Sequence, residues 1–237
     1  MRFVTGFEAA LLKDTLIICD LHLGMERQLF QRGVRFGGLT DFLIEKTLAL
    51  LSKTKARRLV ILGDIKENVV AVESEARRYF ESVSPHAEII VCKGNHDGNL
   101  ERIASIKTVG PEGFVLHNTG LFHGHAWPVP ELMQCETILM GHNHPQLTFF
   151  ESGKKEPRPI WMFCPPNNKK INARYGHFND GIRLVLMPSF NPLLGNDISA
   201  MGGLGPLFRN KLFKWEGAIV YTLGGTRLGT VDEVVRR

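Results

Sequence analysis

The feature that most constrains this chain is the alternation within its first hundred residues. Runs of branched apolar residues at 15–19, 59–62 and 88–92 are four or five residues long, as strands buried on both faces tend to be. Between the first two, residues 39–52 place Phe42, Leu43, Leu48, Leu50 and Leu51 at positions that suit a helix. Between the second and third, residues 72–83 repeat Val72, Ala76, Tyr79, Phe80 and Val83 at helical spacing, with Glu73, Glu75, Arg77 and Arg78 on other faces. Strand, helix, strand, helix, strand predicts right-handed crossovers and a largely parallel sheet.

Further strands are expected at 113–116, 121–122 and 137–140. Helical signal is poor after Pro145. A stretch at 154–172 is rich in Pro, Asn and Lys, residues 182–187 look strand-like, and 188–206 is a loop dense in glycine and proline. Residues 218–223 and 227–231, around Gly224-Gly225, predict a closing β-hairpin. No repeat or strong linker interrupts the chain. One α/β domain is expected over 1–237, with a βα core at 1–145 and mostly β completion with long loops at 146–237, finished by an antiparallel sheet.

Composition removes several classes. A chain of 237 residues with 43% hydrophobic and 22% charged residues is neither disordered nor fibrous. No apolar run approaches the roughly 20 residues that span a bilayer, so no membrane partner is expected. Residues 1–7 lack a charged-then-apolar signal layout. Cys19, Cys92, Cys135 and Cys164 show no CxxC spacing, which predicts free buried thiols in a reducing cytoplasm. The net charge of +5 permits a polyanionic partner such as nucleic acid without demanding one.

The polar residues sit where the apolar runs end. The first run leads into Asp20-Leu21-His22, the second into Gly63-Asp64, the third into Gly94-Asn95-His96-Asp97. Leu121-Phe122 precedes His123-Gly124-His125, and Ile138-Leu139-Met140 precedes Gly141-His142-Asn143-His144. Ligands of open α/β sheets bind outside the carboxyl ends of the strands, so five such blocks would share one rim. Six of the nine histidines fall in them; His86, His117 and His177 do not. Asp20-Leu21-His22 or Gly63-Asp64 alone reads as a turn. A Gly-Asn-His-Asp string, in contrast, arises by chance on the order of once in a thousand chains of this length. The chemistry favours a metal pair, in which one carboxylate bridges two divalent ions about 3.5–4 Å apart. Residues i and i+2 at a strand exit share a side, so Asp20 and His22 can grip one ion. His142 and His144 could each serve a different one. Mixed Asp, His and Asn donors suit Mn, Fe, Zn, Co or Ni better than Ca or Mg.

Together these blocks resemble the calcineurin-like metallophosphoesterase superfamily, with its D-x-H, G-D-x-x-[D/N], G-N-H-[D/E], single H and G-H-x-H pattern, over about the first 60% of the chain. The resemblance implies a four-layer α-β-β-α sandwich in a single domain. It implies a first ion on Asp20, His22, Asp64 and His144, with Asp64 bridging to a second completed by Asn95, His123 and His142. Manganese is the foremost metal, with Fe, Zn, Co or Ni as alternatives. His96 would protonate the leaving group, oriented by Asp97, and a hydroxide bridging the ions would attack phosphorus in line. Either histidine of His123-Gly124-His125 fits the ligand position; the family pattern favours His123 and leaves His125, with Asn95 and His96, to contact phosphate. Glu67 stands where Asp or Asn is commoner, at a position that is usually not a ligand.

The longer string Asp20-Leu21-His22-Leu23-Gly24-Met25-Glu26, followed by Arg32-Gly33, is most similar to small prokaryotic and archaeal phosphoesterases related to the SbcD nucleases and to DNA-ligase-associated endonucleases or phosphodiesterases. The full repair nucleases add a capping domain and a segment that grips an ATPase. This length leaves no obvious room for both, which counts against an ATPase partner; a homodimer is compatible with the sequence. The implied function is hydrolysis of phosphodiester bonds in nucleic acid. Basic clusters at Lys53/Lys55/Arg57/Arg58, Lys169/Lys170/Arg174 and Arg209/Lys211/Lys214 fit it, as do Trp161, Phe163, Tyr175 and Phe178 as a stacking surface for single strands. The alternatives are a small-molecule phosphatase or cyclic-nucleotide phosphodiesterase on the same centre, and a non-catalytic metal-binding scaffold.

Overall fold

The computed structural model describes residues 1–31, 33, 37–70, 74–200 and 202–235. Arg32, Val72 and Glu73 of the sequence expectations lie outside the described residues. Six strands build the first sheet in chain order: β1 (Arg2–Phe3), β2 (Ala10–Leu12), β3 (Thr15–Ile18), β4 (Arg58–Leu62), β5 (Glu88–Cys92) and β6 (Lys107–Val109). The four strands from β3 to β6 are parallel, and β1 and β2 add an antiparallel edge. After the short helix α1 (Met25–Gln31), helix α2 (Leu39–Thr54) links β3 to β4 and α3 (Ser74–Val83) links β4 to β5, as the alternation predicts.

Period-two alternation decides what each strand touches. Leu16, Ile18, Leu59, Ile61, Ile89 and Val91 pack with Leu43, Leu50, Leu51, Ala76, Tyr79, Phe80 and Val83 of the two helices. Ile17, Cys19, Val60, Leu62 and Cys92 pack with residues of the second sheet. Both faces are covered, which is why these runs are continuously apolar.

The second sheet comprises β7 (Phe114–Leu116), β8 (Thr119–Phe122), β9 (Thr137–Met140), β10 (Pro145–Glu151), β11 (Lys154–Cys164), β12 (Arg183–Leu186), β13 (Asn196–Asp197), β14 (Ile219–Thr222) and β15 (Arg227–Thr230). Its order is β13-β10-β11-β12-β9-β8-β7, with the β14–β15 hairpin joined to β11. The sheet is mixed where an antiparallel one was expected, because β8, β9 and β12 run parallel. These three strands are nearly all buried. The 3-10 turn Pro130–Gln134 and the short helices α4 (Asn168–Tyr175) and α5 (Pro206–Arg209) contribute Leu132, Met133, Ile171, Leu207 and Phe208 to the same apolar cluster. A last helix, α6 (Val231–Val235), takes up Val231, which the sequence placed in the closing strand.

The long β10–β11 hairpin was hidden by Pro157 and Pro159. They pair with Thr148 and Gln146 on the β10 side, whereas β12 and β14 meet β11 only from Ile160 onward. Residues lacking an N–H thus sit where the other edge has no neighbour to bond. Among the described residues no helix is long and apolar enough to cross a membrane.

Phe80 is fully buried between α3 and the first sheet. Phe80→Ala is expected to lower unfolding free energy by about 3–5 kcal/mol in a urea titration. A drop below about 1 kcal/mol would contradict that packing.

Candidate metal centre

All five polar blocks meet at one rim. Asp20, His22, Asp64 and His144 offer donor atoms within 4.8 Å of one another, and so do Asp64, His123 and His142. Asp64 belongs to both sets. Its Oδ2 lies 3.4 Å from His22 Nε2 and 3.4 Å from His123 Nε2, while its Oδ1 accepts the His96 N–H at 3.0 Å. Asn95 Oδ1 stands 3.2 Å from His123 Nε2, which also lies 3.1 Å from His142 Nδ1. His123, not His125, has its ring inside the cluster; the His125 ring is 5.3 Å from it, half-buried, with an unpartnered Nδ1. His86, His117 and His177 are exposed and stand apart from all three donor sets, the third of which is His22, Glu67 and His96.

Fixed acceptors set the tautomers. His22 Nδ1–H donates to Glu67 Oε2 at 2.7 Å, His123 Nδ1–H to the Leu62 carbonyl at 2.9 Å, and His96 Nδ1–H to the Glu67 carbonyl at 2.8 Å. Each ring therefore turns its Nε2 the other way. The Nε2 atoms of His22 and His144 are buried without a hydrogen-bond partner and face Asp64 and Asp20 at 3.4 and 3.2 Å. Buried nitrogens without partners, aimed at buried carboxylates, fit divalent cations between them.

The electrostatics agree. Burial alone would raise Asp20, but His144 and His123 outweigh it and hold its carboxyl below the usual range. Asp64 is driven far lower, as the adjacent imidazoles of His123 and His22 overcome its burial. Burial opposes charge on His22 as well, yet Asp64 and Glu67 raise it to about 10; Asp64 and Asp20 likewise raise His123 to about 9. His142 is pushed down to about 4 by burial and then by its charged neighbour His123. Without metal, protons on His22 and His123 thus stand in for the cations.

Backbone shape delivers these side chains. Among the described residues twelve non-glycine positions have positive φ, and five are Asp20, His22, Asp64, His142 and His144. Asp20 and His22 share a side because both are left-handed after β3 has ended at Ile18, not because a strand continues through them as the sequence argument supposed. Glycine opens the space. A Cβ on Gly94 would lie 2.2 Å from Asp64 Oδ1, and one on Gly63 (φ 76°) 2.4 Å from His123 Nδ1.

Asp97 departs from its expected role. Its buried oxygens accept the N–H groups of Ile65 and Gly94, each at 2.8 Å, so it fastens the 94–97 loop to the end of β4. What holds the His96 ring is the Glu67 carbonyl. Glu67, set aside as a mild departure, both grips His22 and positions His96, and its carboxyl is lowered chiefly by the His22 bond. A carboxylate behind a histidine that faces a cluster of donors is the signal that could have found it. Residues 188–191 were also missed. Ser189 Oγ donates to the Asp20 carbonyl at 2.9 Å and Asn191 Nδ2 to the Leu21 carbonyl at 2.8 Å. They follow β12, which runs parallel to β9 and so ends on the same rim, and strand-end logic extended to 182–187 would have pointed there.

No protein-family model and no curated protein matches this chain. Among solved structures, that of Pseudomonas putida nuclease MPE superposes with a TM-score of 0.56 and 18% identity, over 91% of this chain and 88% of that one. Yfce, a phosphoesterase from E. coli, gives 0.44 and 15%, over 91% and 96%. AQ665 from Aquifex aeolicus, a protein of unknown function, gives 0.40 and 21%, over 55% and 78%. The first likeness establishes the fold. This chain has the two-sheet α/β fold of that nuclease.

Three outcomes follow from this geometry. The raised histidines favour folding of the metal-free protein below about pH 6.5, and this contribution is lost as pH climbs through about 9 to 10. The melting temperature of metal-free protein should therefore fall over that window. Metal uptake at pH 7 should release about two protons, read calorimetrically in buffers of different ionisation enthalpy. Glu67→Gln should weaken metal binding by roughly 10–100-fold in the same titration, and unchanged affinity would remove Glu67 from the site.

Proposed function

We propose that this protein is a dinuclear metal-dependent phosphoester hydrolase acting on phosphodiester bonds in nucleic acid. The observation that carries the proposal is Asp64 Oδ2 placed between the imidazoles of two donor sets. Asp20, His22, Asp64 and His144 would hold one ion; Asp64, Asn95, His123 and His142 would hold the other. The donor chemistry suits manganese first, then iron, zinc, cobalt or nickel. When bound, such ions neutralise phosphoryl oxygens and lower the pKa of water toward about 7.

The remaining steps belong to the chain. His96 is half-buried at the mouth of the site, and its Nδ1–H is committed to Glu67. Its Nε2 is free to hold a proton for the departing oxygen. Asn95 and His125 border the same opening and would steer a phosphate toward His96. The nucleic-acid preference draws support from the basic segments of the chain and from the nuclease that shares its fold. Four free, buried cysteines fit a reducing cytoplasmic setting.

The test is hydrolysis of bis-p-nitrophenyl phosphate beside p-nitrophenyl phosphate after metal titration. The diester should be preferred. His96→Ala should keep both ions and lose about 10²–10⁴-fold in kcat, most severely with poor leaving groups. Asp64→Asn should lose an ion and nearly all turnover. A monoester preference would favour the small-molecule phosphatase reading, and retained metal without any ester hydrolysis would favour the scaffold.

A further inference from the structure

The surplus positive charge of this chain has an address. Residues 165–214 hold seven Lys and Arg against two Asp and Glu, and the other 187 residues balance at 22 of each, so this stretch carries the whole +5. The fold gathers six of the seven on two adjoining pieces. Lys169, Lys170 and Arg174 lie on α4, Arg209 ends α5, and Lys211 and Lys214 follow it; all are exposed. The pieces are fastened together by the Asn167 N–H on the Leu212 carbonyl at 2.8 Å and the Lys214 N–H on the Pro165 carbonyl at 2.9 Å. None of the six has a carboxylate in ion-pair contact among the described residues, whereas Arg27, Arg78, Lys107 and Arg158 elsewhere on the surface do.

The surface borders the metal centre on two sides. Just before α5, the Leu204 N–H donates to Asn143 Oδ1 at 2.7 Å, between His142 and His144. Gly205 abuts the Gly124 carbonyl, between His123 and His125, so closely that a Cβ there would lie 2.1 Å from it. From α4, the Arg174 guanidinium lies 3.3 Å from the Trp127 ring centre, two residues beyond His125, and the Tyr175 hydroxyl donates to the Pro128 carbonyl at 3.2 Å.

The aromatic residues expected to stack bases are engaged elsewhere. Trp161 is buried, Phe163, Tyr175 and Phe178 pack against the core, and Trp127 is covered by Arg174. What this surface presents is unpaired cations without free rings, the chemistry that reads phosphates and not bases. We propose that the α4–α5 surface is a sequence-independent track for the phosphate backbone of a nucleic acid, leading it to the metal centre. This rests on the phosphodiester reading above. The remaining basic cluster, Lys53/Lys55/Arg57/Arg58, lies at the end of α2 and the start of β4, at the opposite ends of the parallel strands, and is no part of the track.

The experiment measures binding apart from cleavage. Metal-loaded His96→Ala protein is titrated against labelled 30-mers of mixed sequence, single- and double-stranded, by fluorescence anisotropy over a range of KCl. Lys169→Gln/Lys170→Gln and, independently, Arg209→Gln/Lys211→Gln should each weaken binding by about tenfold at low salt and lower the salt slope by roughly one for every phosphate left without its cation. Lys53→Gln/Lys55→Gln should change neither. The track is overturned if both α4–α5 pairs bind like the parent, if the control pair weakens binding as much, or if anionic lipid vesicles compete better than the oligonucleotides. Diester hydrolysis without oligonucleotide binding would overturn the track and leave the metal centre standing. Oligonucleotide binding abolished in the two pairs, in a protein that hydrolyses no ester, would keep the surface and remove the hydrolase.

Discussion

Two carboxylates buried side by side without a fixed cation set the terms for the rest of this fold. Asp20 is fully buried and Asp64 is 2% exposed, and their ion-pair partners among the described residues are the imidazoles of His22, His123 and His144. Charge removed from water costs several kcal/mol per ion unless it is compensated. Here compensation comes from protons on histidines, which are exchangeable. A lysine or arginine in their place would stabilise the fold permanently and close the site to metal. Histidine leaves the same space open to a proton or a divalent ion.

Holding seven such donors together demands a backbone that neither sheet supplies alone. Asp20, His22, Asp64 and Asn95 leave the ends of the first sheet; His123, His142 and His144 leave the ends of the second. Each group is useful only if the sheets keep their relative position. The shared cluster running from Ile17, Val60 and Leu62 to Leu121, Leu139 and Leu184 provides that fixity. Left-handed residues at the strand exits then turn the donors inward, at a local cost of order 1–3 kcal/mol each. Asp97 and the Ser189–Asn191 pair absorb that cost by tying the strained loops to neighbouring backbone.

Much of this was legible because the chain separates its signals. Continuous apolar runs located β3, β4 and β5, and the polar blocks immediately after them located the ligand set. The strand of residues 154–164 was illegible because its prolines mimic a loop, and only the absence of a partner along one edge explains them. The contacts of Glu67 and Asp97 were illegible for a related reason. The family resemblance linked Asp97 to His96, but a side chain beside a turn often bonds the turn's own backbone. The bond between Glu67 and His22 spans 45 residues and leaves no periodic trace.

The partition of charge adds a last constraint. A centre that already concentrates two carboxylates gains little from nearby free lysines, which would compete with a metal for the same oxygens. Keeping the cations of 165–214 exposed, one loop removed from the ligands, avoids this competition and still leaves their field to act on an approaching anion. The tight approach of Gly205 to the Gly124 carbonyl has a reason in that light. It brings the cation-rich segment around α5 as near the metal loops as backbone can come, while the lysine and arginine heads remain in water.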